Sequence, residues 1–219
     1  NGIDDYVLRF ADVFNAGRTG GLRITFPMVG QAIAEFEMTL TFADAPIDRF
    51  ARGDGDAMTR QQKRGGLLFF GKAHCVACHA VGGASNEMFS DFRNHVLGVP
   101  QIAPVFGRGT GNVVFDGPRH DQDFGAEQVT GDSADRYAFR TSPLRNVALQ
   151  AAFFHNGAFT RLDEAIGHHL DVVQSARTYN GAAAGVDADL TERMGPINPV
   201  LRRLDPLVKT PVAAVAIHL

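Results

Sequence analysis

The sequence predicts a mainly α-helical fold threaded by long irregular loops. Three observations predict it. Apolar residues recur at helical spacing in several short stretches, no alternating apolar–polar run persists, and residues 80–136 are rich in Gly, Pro, Asn and Asp with little periodicity. At 219 residues the chain can form one large domain or two small ones, and 45% hydrophobic residues suffice for a buried core. The net charge of −3, with no long run of one sign, argues against nucleic-acid binding, which needs a basic face. No apolar stretch reaches the length of a membrane span, and the apolar tail Val212–Leu219 is far too short for one.

Tyr6, Val7, Phe10, Val13 and Phe14 mark a first short helix. Pro27 suits a second helix start, continued by Val29, Ile33, Phe36 and Leu40. Asp44–Phe50 reads as a connector helix, and the turn Arg52-Gly-Asp-Gly-Asp56 as the seam between two parts of the chain. Thr59 is the expected N-cap of a helix over Arg60–Phe70, with Leu67, Leu68 and Phe70 near its end. The aperiodic stretch 80–136 is long for a loop inside a domain, which marks it as a functional candidate. Periodicity returns at Leu162–Val173. There Leu162, Ala165, Ile166 and His169 share one helix face, as do Val172 and Val173. His168 lies about 100° away, beside Arg161, Glu164 and Asp171. His169 is therefore expected on the buried stripe and His168 on the wet side.

Residues 75–79 read Cys-Val-Ala-Cys-His, and Cys75 and Cys78 are the only cysteines in the chain. A CxxCH run is the attachment pattern of c-type haem: two thiols add to the porphyrin vinyl groups and the adjacent His79 becomes the proximal ligand. A disulfide across two residues would be strained. A thioredoxin-type pair needs a βαβ context that is missing around residue 75. A zinc site would need a second ligand pair at close spacing. The predicted fold is thus a cytochrome c-like helical haem domain, in which the long loop packs on the cofactor. Covalent attachment requires an oxidising, exported setting, and no signal peptide begins at Asn1, so Asn1 is not expected to start the gene product. The sixth haem position decides the chemistry. His169, a buried imidazole, suits it, with a satisfied core histidine as the plainer alternative.

Several ordered motifs carry a family resemblance. They are Phe50-Ala-Arg-Gly-Asp54, Gly65-Gly-Leu-Leu-Phe69, the CxxCH run, Gly98-Val-Pro-Gln101, Tyr137-Ala-Phe-Arg-Thr-Ser-Pro-Leu-Arg-Asn-Val-Ala148, Phe153-Phe-His-Asn-Gly157 and Leu162-Asp-Glu-Ala-Ile166. From about residue 20 to about residue 180 the chain resembles the C-terminal domain of the bacterial di-haem cytochrome c peroxidase/MauG family. The resemblance implies a single covalent haem c on Cys75 and Cys78, with His79 proximal. It implies a distal ligand at the eighth position of the helix that starts at Leu162, which is methionine in the peroxidases, tyrosine in the MauG branch and His169 here. A bis-histidine, low-potential haem follows. Residues 1–53 then resemble the tail of the family's N-terminal haem domain, and 54–219 form the C-terminal cytochrome c-type haem domain. Two departures stand out. Gln150-Ala-Ala152 replaces the usual Thr-x-Pro near an inter-domain calcium; backbone carbonyls remain available, but calcium is put in doubt. The upstream half with its own CxxCH is missing, and the chain has no tryptophan to place between two haems.

Other residues are weighed on their own chemistry. Arg140 and Arg145 are candidates for haem propionates or for ordinary loop pairing. His155 could bond a propionate or simply pack. Asn146 is expected to fix a turn, His74 to be exposed, and His95 and His120 to stay clear of the haem. Met88 and Met194 are fallback axial ligands, and Asp116 and Asp121–Asp123 could reach a cation or form a solvated acidic loop, the latter being the expectation. The expected function is that of an electron-transfer haem domain in a cytochrome c peroxidase-like periplasmic oxidoreductase. Electrons would arrive from a small electron-donor protein and pass to a peroxide-reducing or substrate-oxidising haem on a missing segment or a second polypeptide. One alternative is a mono-haem peroxidase, with Glu164 and His168 as acid–base candidates. The other is a non-enzymatic haem relay subunit.

Overall fold

Acidic residues open the first helix of the computed structural model, which describes residues 3–14, 23–39, 44–83, 87–103 and 122–212. The chain divides into two compact units, Asn1–Met58 and Thr59–Leu219. In unit 1, helix α1 (Asp4–Phe14) carries Asp4 and Asp5 at its positive end, an Asp5–Arg9 pair at 2.9 Å, and Phe10 stacked on Phe14. Helix α2 (Phe26–Thr39) has Pro27 in its first turn, where the missing N–H costs nothing. Neither helix buries a residue. Ile3, Tyr6 and Phe10 instead line an open apolar groove with Val29, Ile33 and Phe36. Leu40, expected to extend α2, lies outside the described residues. Helix α3 (Pro46–Ala51) starts with proline, and the Asp48 carboxylate accepts from the Ala45 N–H at 2.9 Å.

Unit 2 opens on helix α4 (Arg60–Phe70). Thr59 caps it as the sequence predicts: its hydroxyl accepts from Gln62 N–H at 3.2 Å, and the Gln62 side chain accepts from Thr59 N–H at 2.8 Å. Short antiparallel pairs interrupt the long aperiodic stretch, a feature its sequence does not signal. Strand β1 (Asn94–His95) pairs with β3 (Phe139–Arg140), and β2 (Ile102–Ala103) pairs with β4 (Arg193–Met194). A one-turn helix, α5 (Glu127–Thr130), lies between β2 and β3 in the chain.

The predicted helix Leu162–Val173 is two helices, α6 (Leu162–Leu170) and α7 (Val172–Thr178). Asp171 separates them at φ −147°, and its carboxylate caps α7 by accepting from Gln174 N–H at 3.1 Å. Capping competes with helix continuation, so one aspartate breaks a periodicity that looks continuous. Helix α8 (Ile197–Leu201) is the last α-helix among the described residues. One core cluster joins Val99, Phe153, Phe159 and Ala165, and a second joins Val96, Tyr137, Val172, Val200 and Leu204. Gly98 has φ +64°, and a Cβ there would meet Val172 Cγ1 at 2.5 Å, so glycine lets the 96–101 segment lie flat on α7.

Candidate functional site

Helix α4 delivers the chain to the cysteine pair through a tight turn. His74 takes the left-handed conformation at φ 53°, and Cys75–Ala77 form a 3₁₀ turn. His79 N–H donates to Cys75 carbonyl at 2.9 Å, so the pair and the histidine lie on one compact coil. Both thiols are free. Burial pushes both above the usual thiol range, Cys78 to about 11 with added repulsion from Asp91 and Asp205.

The imidazole of His79 faces that of His169 at a centroid separation of 6.3 Å. His79 Nδ1–H donates to Phe89 carbonyl at 2.9 Å, and His169 Nδ1–H donates to Ala165 carbonyl at 2.8 Å. A carbonyl only accepts, so each ring carries its proton on Nδ1 and keeps Nε2 as a lone-pair donor. Among the described residues no hydrogen bond engages either Nε2. Burial pushes both imidazoles below their ordinary range and so favours the neutral form. Phe154 stacks on His169 at 5.2 Å, and Phe69 of α4 lies 6.5 Å from His79.

His168 corrects the face argument. It is fully buried rather than wet: Nε2–H donates to Leu97 carbonyl at 2.8 Å, and Nδ1 accepts from the Ser175 hydroxyl at 3.0 Å. Helix α6 packs on two sides, with the 96–99 segment and α7 covering the face that the helical wheel leaves to water. Burial pushes the His168 imidazole down to about 4. Both its nitrogens are engaged, so it is a structural core histidine.

Arg145 donates to Glu87 carbonyl at 3.0 Å and lies over the Phe89 ring, while Arg140 lies over Phe92. His155 stacks face to face on Phe139 at 3.4 Å, with its Nε2 3.7 Å from Asp123. Burial pushes His155 down to about 4 and Asp123 upward, so desolvation outweighs their attraction. Asp123 also caps Gly125 N–H at 2.8 Å, so it is a turn residue rather than part of a solvated loop. Asn146 takes the left-handed conformation expected of a turn residue. His120, Asp116 and Asp121 lie outside the described residues. Met194 sits on β4, 45% exposed, and the ring that meets His79 belongs to His169.

Two sets of residues escape the sequence. Phe89 and Phe154 take positive φ of 58° and 64°, which is strained for bulky side chains, and each touches one of the paired histidines. His95 is held between Asp91 and Asp205, beside Cys78. Partners 4 and 110 residues away leave no local pattern for the second contact.

Known proteins bear on this arrangement. The family model described as di-haem cytochrome c peroxidase matches residues 1–56. Cytochrome-c peroxidase IdrP2 of Denitromonas iodatirespirans is 36% identical over 176 residues, covering 75% of this chain and 44% of that protein. The chain belongs to the di-haem cytochrome c peroxidase/MauG family. Its other relatives in that family include the cytochrome c551 peroxidase of Pseudomonas aeruginosa, 33% identical over 75% of this chain and 42% of the relative. The methylamine utilization protein MauG of Methylorubrum extorquens is 32% identical over 77% and 40%. The chain thus spans under half the length of these family members. The mainly helical fold is also that of the family: the crystal structure of a MauG-like protein associated with microbial copper homeostasis superposes with a TM-score of 0.56 at 22% identity, over 94% of this chain and 56% of the other. The family binds c-type haem. No helix among the described residues is long and apolar enough to cross a membrane.

Proposed function

We propose that unit 2 holds one covalent haem c through Cys75 and Cys78, with His79 as proximal and His169 as distal ligand. It would serve as the electron-transfer domain of a cytochrome c peroxidase-like periplasmic oxidoreductase. The His79–His169 pair carries this proposal. Two imidazoles that shared one metal ion through bonds of about 2 Å would need roughly this spacing, and 6.3 Å separates the ring centroids. Both rings present an unprotonated Nε2, fixed by carbonyl acceptors behind them. Family membership supports the cofactor, since the family binds c-type haem.

A haem held there supplies reversible one-electron transfer, and two imidazole ligands favour its ferric state relative to histidine–methionine ligation. The residues around it do the remaining work. Phe154, Phe69 and Phe89 cover the paired rings with apolar surface and exclude water. Arg140 and Arg145 are the proposed propionate partners, and His155 contributes as a neutral ring. Cys75 and Cys78 fix the register of the turn on which His79 sits.

The chain carries a single CxxCH in a di-haem family, and under half the length of its relatives. The peroxide-reducing or substrate-oxidising haem is therefore assigned to another segment or a partner polypeptide, and the electron source to a small donor protein. Residues 1–53 are assigned to the tail of an upstream haem domain and 54–219 to the C-terminal one. The family-model match over residues 1–56 supports a boundary in that region. Calcium is left out of the proposal, because Gln150-Ala-Ala152 stands where the family usually has Thr-x-Pro.

Low-temperature EPR of the ferric protein tests the assignment. A purely low-spin signal unchanged by peroxide is the expected result. A substantial high-spin signal consumed by peroxide would overturn His169 ligation and make this haem the reactive one.

A further inference from the structure

The two carboxylates around His95 form a chain of contacts that ends at the haem-attachment turn. Asp205 Oδ2 lies 2.7 Å from His95 Nδ1, and Asp91 Oδ2 lies 2.9 Å from His95 Nε2. Carboxylates accept, so both ring nitrogens donate and the ring is an imidazolium. Burial works against that charge, yet the two carboxylate bonds outweigh it and hold His95 above the usual imidazole range. The three side chains are only 11–20% exposed, so solvent screens them weakly. Asp91 N–H donates to Cys78 carbonyl at 2.8 Å, and Asp205 N–H donates to Val96 carbonyl at 3.0 Å. The triad therefore ties the segment before the 206–208 turn to the turn that carries Cys78 and His79.

Cys78 Sγ, an Asp91 carboxylate oxygen and a His95 nitrogen all lie within 4.8 Å of one another. That spacing would suit a metal, but both His95 nitrogens are already taken by carboxylates, so the set is a charge cluster rather than a chelate. Its charges reach the turn. Asp91 holds the Cys78 carbonyl through its own N–H at 2.8 Å, one residue before His79.

We propose that Asp91, His95 and Asp205 form a positioning clamp for the haem-attachment turn, and that its net single negative charge sets the reduction potential of the haem held there. The proposal rests on the haem assignment above. Negative charge beside a haem favours the ferric state and lowers the potential. Removing the imidazolium leaves two bare carboxylates, and removing one carboxylate leaves the cluster neutral. The two changes must therefore move the potential in opposite directions. A clamp that only held shape would move both the same way, since each variant breaks a bond to the same ring.

Spectroelectrochemical titration of the haem-loaded protein at fixed pH decides it. His95→Gln is expected to lower the midpoint potential and Asp205→Asn to raise it, while Asp205→Glu, which keeps the charge, leaves it near the wild-type value. Shifts of one sign in His95→Gln and Asp205→Asn, or no shift in either, overturn the proposal. Should His95→Gln not fold, the contrast between Asp205→Asn and Asp205→Glu decides alone, because a structural role predicts that both shift alike. A pyridine haemochrome spectrum of the wild type separates this from failure of the haem assignment. Absence of thioether-bound haem would refute the roles of Cys75 and Cys78, whatever the triad does.

Discussion

Two adjacent histidines on α6 have opposite fates, and the difference lies in what each nitrogen touches. His169 donates Nδ1–H to the Ala165 carbonyl and its ring lies 6.3 Å from that of His79, whereas His168 spends both nitrogens on Leu97 and Ser175. The sequence singles out His169 by helix register together with the family resemblance, and the residue stands half-buried while its neighbour takes the fully buried place. It misplaces His168 because the 96–99 segment, some seventy positions upstream, covers that face. His168 also makes a pH prediction. Burial holds it near 4 in the folded state, against about 6.5 when unfolded. Below pH 6.5 the unfolded chain binds a proton that the folded one refuses. The contribution is therefore complete above about pH 6.5, is lost progressively toward pH 4, and amounts to at most about 3 kcal/mol. Thermal melts across that range should show the decline in wild type and a shallower one in His168→Gln. An equally steep decline in the variant would assign the acid sensitivity to other groups.

Elements with local determinants were legible and those without were not. Thr59 with Gln62 fixes the start of α4, because a capping box is written within four residues. The β1–β3 and β2–β4 pairs span two residues each and join segments far apart in sequence, so no alternation could announce them. The α6–α7 break was hidden because Asp171 fits a helix surface as well as a cap. Gly98 sits between these cases: its presence is visible, but its reason is the contact with Val172 on α7. Gly98→Ala should cost about 2–3 kcal/mol, combining left-handed strain with a close approach to Val172. Chemical denaturation of the haem-loaded protein would measure it. A cost near zero would mean that the 96–101 segment shifts freely, contrary to its packing.

At the scale of the whole chain, the two units differ in how they satisfy their apolar surface. Unit 2 closes two core clusters. Unit 1 leaves Phe26 at 92% and Phe36 at 62% exposed, a surface more typical of an interface than of an isolated monomer. The mainly helical class was readable from periodicity, and the CxxC spacing of Cys75 and Cys78 agrees with a family that binds c-type haem. The polar network around His95 was not, since its partner Asp205 lies 110 residues on. The paired histidines carry one more consequence. His79 and His169 stand about ninety residues apart in sequence yet ring to ring in space, so ligation by both would staple a long loop shut. Cross-links of that span stabilise by about 2–4 kcal/mol, largely by restricting the unfolded chain. A ligand chosen for its redox character would then double as a stitch in the polypeptide. Haem-loaded His169→Ala should melt several degrees below wild type, and a small exogenous imidazole, which restores the bond but not the stitch, should recover the low-spin spectrum while leaving most of the melting deficit in place.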